Sequence, residues 1–70
     1  MTNATNEVLI TEVEGPRGTA EIYEITLPTG QIIEVEYAVV FGSERHGFKS
    51  LGEAHIFANQ LTGAEGAEEN

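Results

Sequence analysis

Seventy residues without a cysteine leave room for one domain and no disulfide, so a 40% apolar composition must build the core unaided. Twelve acids, all of them glutamate, stand against three bases and give a net charge of −9, which disfavours nonspecific binding to DNA, RNA or anionic lipid. No charged-then-apolar leader is readable, and no apolar run approaches the roughly 18 residues that span a bilayer, so a cytoplasmic protein is expected.

Residues 1–6 are polar and without periodicity, and residues 63–70 are small and acidic. Both ends read as disordered tails around a single domain over residues 7–62. The Asn3-Ala4-Thr5 sequon is read as a chance match, since no secretory signal accompanies it. A folded part of about 60 residues buries only about 60% of its extended surface, so stability is marginal, and a partner chain would otherwise complete the core.

The first strand is predicted over residues 7–14, rich in β-branched side chains, and Gly15-Pro16-Arg17-Gly18 breaks it as a tight turn. A second strand follows over residues 19–27, and Pro28-Thr29-Gly30 reads as the next turn. The third candidate, residues 31–41, places Ile33, Val35, Tyr37, Val39 and Phe41 at alternate positions. If the Pro-Thr-Gly turn pairs Leu27 with Gln31, then Ile25 meets Ile33 and Tyr23 meets Val35. The same logic through the first turn sets Leu9 near Tyr23 and Val13 near Thr19. The inner face is then Leu9, Val13, Tyr23, Ile25, Leu27, Ile33, Val35, Tyr37, Val39 and Phe41.

Residues 42–47 read as a loop, and Phe48-Lys49 is available as a short fourth strand. Ser50 followed by Glu53 is a capping-box signature, and Gly63 is placed as a left-handed stop. A helix over residues 51–62 follows, with Leu51, Ala54, Phe57, Ala58 and Leu61 on one face and His55 on its flank. The expected fold class is α+β, an antiparallel β-meander of three strands, with a fourth available, and one C-terminal helix packed on one face.

One helix covers one face of a meander, so the other meets water or a partner. In this register the outer face carries Val8, Ile10, Glu12, Ala20, Ile22, Glu24, Thr26, Ile32, Glu34, Glu36, Ala38 and Val40. Glu24 lies opposite Glu34, with Glu36 two residues along, and like charges so opposed destabilise a sheet. Ile10, Ile22 and Ile32 are apolar where a solvated face favours polar residues. These seven side chains, Ile10, Glu12, Ile22, Glu24, Ile32, Glu34 and Glu36, are the candidate protein-binding face. The competing reading is a half-polar solvated face that keeps isoleucine for strand propensity.

Catalytic machinery is not evident. Ser43-Glu44-Arg45-His46 holds suitable side chain types, but sequence neighbours rarely converge into a triad. His46 and His55 without a thiol make a poor metal set. The glutamates do not follow calcium-loop spacing, and no phosphate-binding glycine loop opens a helix. No enzyme activity, cofactor or metal is therefore expected.

Residues 37–54, from Tyr37-Ala-Val-Val-Phe through Gly-Phe48-Lys-Ser-Leu-Gly-Glu-Ala54, resemble the last strand, short hairpin and helix entry of three-stranded DNA-binding domains. Those domains occur at the N-termini of phage integrases and in the plant AP2 type. The resemblance implies a related topology. Those families read the major groove with Arg and Lys on the exposed sheet, where this chain has Glu12, Glu24, Glu34 and Glu36, so DNA binding does not carry across.

The leading expectation is a small acidic module that binds a basic protein surface. Its specific form is a phage-type nucleic-acid mimic, an inhibitor of the anti-CRISPR or anti-nuclease class, facing a nuclease, a CRISPR effector or a DNA-binding protein. The alternative is a homodimeric structural or regulatory protein that associates through the exposed sheet face or an edge strand. Nucleic-acid binding through Arg45-His46-x-x-Lys49 ranks third, with three bases in the whole chain.

Overall fold

The computed structural model describes residues 6–30 and 32–64. Four antiparallel strands, β1 (Asn6–Gly15), β2 (Gly18–Thr29), β3 (Ile32–Phe41) and β4 (Glu44–Phe48), lie in the order β1-β2-β3-β4. One helix, α1 (Leu51–Thr62), packs on one face, so the domain is an α+β meander. The fourth strand is longer than expected and begins earlier. Gly42 at φ 62° allows Phe41 to pair with Glu44 across two residues, which draws Arg45 and His46 out of the expected loop into the sheet. The expected tails lie largely outside the described residues, but Asn6 opens β1 and Ala64 packs against the core, so the folded part slightly exceeds residues 7–62.

The helix follows its sequence signals. Ser50 is the N-cap in extended conformation, and its hydroxyl accepts the Glu53 N–H at 3.2 Å. Gly63 stops the helix at φ 80°, its N–H donating to the Asn59 carbonyl at 2.9 Å. The last turn contains no base of its own. Arg17, in the β1–β2 turn, supplies one: its backbone N–H donates to the Thr62 carbonyl at 2.9 Å, and its Nη1 donates to the Gln60 carbonyl at 3.1 Å. This satisfies helix-end acceptors and sets a cation at the negative end of the dipole. Docking is so close that a Cβ on Gly15 would stand 2.4 Å from the Thr62 carbonyl oxygen.

Register differs from the sequence expectation. Thr29 pairs with Ile32, so the turn holds only Gly30, at φ 62°, and position 31. Leu27 therefore faces Glu34 rather than Gln31, Ile25 faces Glu36 rather than Ile33, and Tyr23 faces Ala38 rather than Val35. A slip by an odd number of residues turns β2 over relative to β3. Pro28 is tolerated in β2 because β1 pairs only as far as Thr26, leaving one side of β2 unpaired there among the described residues. In β1, Leu9 does pair with Tyr23, but Ile10 is then bulged out and Val13 pairs with Ala20 instead of Thr19. The bulge reverses the sides of β1 about Ile10.

The helix accordingly covers Val13, Ala20, Ile22 and Val39, with Tyr37, Phe41, Phe48, Phe57, Leu61 and Ala64 around them. Tyr23, Ile25, Leu27 and Leu9, expected inside, lie on the opposite face. Four of the seven buried apolar residues are alanine (Ala20, Ala38, Ala54, Ala58), and Ile22 and Val39 are the large apolar side chains buried completely. Small side chains let the helix approach the sheet but leave a thin core. Leu51, assigned to the helix's inner face, remains 38% exposed at its first turn.

The domain is elongated, 47 × 21 × 15 Å, with a radius of gyration of 13.6 Å, against roughly 11 Å for a compact chain of this length. Twelve strand residues extend about 40 Å whereas twelve helical ones extend about 18 Å. The helix therefore covers one end of the sheet, and the other end projects beyond it, narrowing to β2 and β3 around Ile32 and Ile33. Because Ile22 carries the core, Ile22→Ala is expected to lower stability in urea unfolding by about 2–4 kcal/mol. Ile32→Ala, at 64% exposure, should change it by no more than about 0.5 kcal/mol. A larger loss at Ile32 would contradict this placement.

Candidate interaction surface

The face opposite the helix is built in rows by strand pairing. Glu14 stands beside Thr19. Glu12, Glu21, Val40 and Arg45 form the next row, then Leu9, Tyr23 and Ala38, then Glu7, Ile25 and Glu36, then Leu27 and Glu34, with Ile32 at the tip. Six of the nine described glutamates gather here: Glu7, Glu12, Glu14, Glu21, Glu34 and Glu36. They flank a middle of Leu9, Tyr23, Ala38, Ile25 and Leu27.

Of the seven residues assigned to this face from sequence, Glu12, Ile32, Glu34 and Glu36 are on it. Ile10 sits in the bulge at its border, 39% exposed. Two are elsewhere. Ile22 is fully buried beneath the helix, and Glu24 lies on the helix side, paired with Tyr37 rather than opposite Glu34. The odd register shift moves both, since they belong to β2 while Glu34 and Glu36 belong to β3. An opposed acidic pair does exist, but it is Glu12 facing Glu21, created by the β1 bulge. Glu7, Glu21 and Tyr23 were missed because of that shift and the bulge, whereas Glu14, two residues beyond Glu12, shares its side in either register and was left out at the strand end. The available signal was Gly30, whose positive φ suits the first position of a two-residue hairpin turn.

Two of the chain's three bases share this face, and both are engaged. Arg45 Nη2 lies 2.9 Å from Glu7 Oε2, spanning from β4 to β1, and Lys49 Nζ lies 3.4 Å from Glu36 Oε2. These pairs are solvent-exposed, so each contributes little stability. They partly neutralise Glu7 and Glu36 and leave Glu12, Glu14, Glu21 and Glu34 as the uncompensated carboxylates on this face among the ion pairs of the described residues.

The proposed Arg45-His46-x-x-Lys49 cationic site is not assembled. Consecutive strand residues point to opposite faces. His46 therefore turns to the helix side, where its ring meets Phe57 edge-on at 4.6 Å and its Nε2 lies 3.2 Å from Glu44 Oε1. Among the described residues, no group of three His, Cys, Asp or Glu side chains is arranged to hold a metal ion, and no helix is long and apolar enough to cross a membrane.

No family model, curated protein or solved structure matches the chain.

Tyr23 stands among these acids. Its hydroxyl donates to Glu21 Oε1 at 2.8 Å, and that bond to the neutral phenol, aided by desolvation and by the negative charges of Glu21 and Glu7, raises its pKa above the ordinary 10.0. The bond's contribution is present below the ordinary tyrosine value and is lost as pH rises through the raised one. In an ultraviolet alkaline titration, Tyr23 should ionise later than a free tyrosine, and Glu21→Gln should bring it down. An unchanged titration in Glu21→Gln would contradict the hydrogen bond.

Proposed function

We propose that this chain is a small non-enzymatic interaction module whose outer sheet face binds a basic protein surface. The observation that supports this reading is the gathering of six glutamates around an apolar middle on the one face the helix leaves open. Such a surface draws a positive partner at long range through its field and then buries Tyr23, Ile25 and Leu27 on contact. An apolar middle bounded by charge is the arrangement of a specific interface, since the flanking charges orient the partner while the middle supplies burial.

Within this reading, the partner is a nucleic-acid-binding protein, such as a nuclease, a CRISPR effector or a DNA-binding protein of the cytoplasm, and the module is its inhibitor. Glu12 with Glu14 and Glu34 with Glu36 stand two residues apart on their strands, about 6.7 Å. That spacing matches two axial steps of about 3.4 Å, the rise per phosphate of one strand along a duplex axis. Carboxylates so placed on a flat sheet imitate a phosphate row, and a groove lined with Arg and Lys accepts them by charge-assisted hydrogen bonds.

A pull-down from the native host separates this from nonspecific acidity. Binding should be lost at high salt and in the Glu12/Glu21/Glu34→Lys triple variant, and retained in the Glu24/Glu44/Glu53→Lys triple variant, which makes the same charge change away from the outer face. Retention in the first variant, or equal loss in both, would refute the assignment to this face.

A further inference from the structure

We infer that the bare helix-side end of the sheet is a self-association surface on which a second copy of this chain docks. Beyond the helix, that face presents Val8 beside Glu24, then Asn6, Thr26 and Val35, then Pro28 and Ile33, with Leu51 at the helix start. Ile33 is 67% and Val8 55% exposed. Among the described residues of this ledge, Glu24 is the one carboxylate, and it stands at the inner border in the row of Tyr37 and Phe48.

Shape selects the occupant. The helix raises one end of the sheet by a layer about 10 Å thick and leaves the other end, about 20 Å long, one layer lower. Two sheets packed face to face are also about 10 Å apart. A two-fold axis lying parallel to the sheets and across the strands therefore lays one ledge on the other. It brings the helix-side face of each projecting tip, at Pro28 and Ile33, against the partner's helix start at Leu51. The step height of one copy equals the thickness of the other, so the surface is complementary to itself, as an isologous dimer requires.

Charge selects the same face. A chain of net charge −9 repels its own copy at the acidic outer face, whereas the ledge brings few charges together. The ledge is three strands wide at its base and two at its tip, small against the roughly 800 Å² per partner of a standard interface, so the dimer is weak. It uses the opposite face from the acidic one and goes beyond the proposed function: a dimer would present its two outer faces away from each other, giving a bivalent module.

Sedimentation equilibrium of the full chain from micromolar to millimolar concentration tests this. The expected result is a monomer–dimer equilibrium that tightens as salt rises, because screening relieves the repulsion of two acidic copies. Attraction to a basic partner weakens with salt, so failure of either idea is recognisable by itself. Ile33→Asp should raise the dimer dissociation constant by about tenfold or more. Ile32→Asp adds the same charge at the neighbouring, equally exposed position on the opposite face, and should change it by less than about threefold. Leu51→Asp, with a carboxylate favourable to the helix start, should weaken the dimer while far-UV circular dichroism shows the fold retained. A monomer throughout the range, or equal weakening by Ile32→Asp and Ile33→Asp, would overturn the inference.

Discussion

The turn between β2 and β3 holds two residues, and Thr29 meets Ile32 across it. Everything that distinguishes the two faces depends on that pairing. With it, Ile22 and Val39 lie side by side under the helix and become the two large apolar side chains of the core. With it, Tyr23, Ile25 and Leu27 pass to the open face among the glutamates. A turn longer by one residue would invert β2 relative to β3 and place Glu24 beside Glu34 and Glu36. The left-handed conformation at Gly30, accessible to a residue without Cβ, is what makes the short turn favourable.

The second constraint is how little there is to bury. Alanines at 20, 54 and 58 bring the helix close to the sheet, and Gly15 lets the helix end come down onto the β1–β2 turn, where Arg17 fastens its carbonyls. This packing is dense but short. It covers one end of a sheet about 40 Å long and leaves Val8, Ile32, Ile33 and Val35 in water. The same economy that makes the domain marginal thus supplies two exposed surfaces of different character. One is acidic with an apolar middle. The other is apolar, nearly without charge, and bordered by the step of the helix.

Much of this architecture was legible in the sequence where a residue type leaves few options. Ser50, Glu53 and Gly63 placed the helix ends correctly, Gly15 and Gly18 placed the first turn, and the alternation from Ile33 to Phe41 assigned the faces of β3. The hidden part lies in β2, which is apolar on both sides: Ile22 on one, Tyr23, Ile25 and Leu27 on the other. Pattern alone favours the side with more large residues, and the turn decided otherwise. The bulge at Ile10 was equally silent, because β1 is also apolar at successive positions (Val8, Leu9, Ile10). The candidate surface was therefore half legible. The glutamates of β3 and Glu12 of β1 were assigned to their correct face, while Glu7, Glu21 and Glu24 depended on a bulge and a turn that composition does not encode.

The β2–β3 register is the claim on which both proposed surfaces stand, and backbone nuclear Overhauser contacts measure it directly. Cross-strand contacts linking Glu24 with Tyr37 and Leu27 with Glu34 are the result this account predicts. Contacts linking Ile25 with Ile33 and Tyr23 with Val35 would contradict it, and would return Ile22 and Glu24 to the open face.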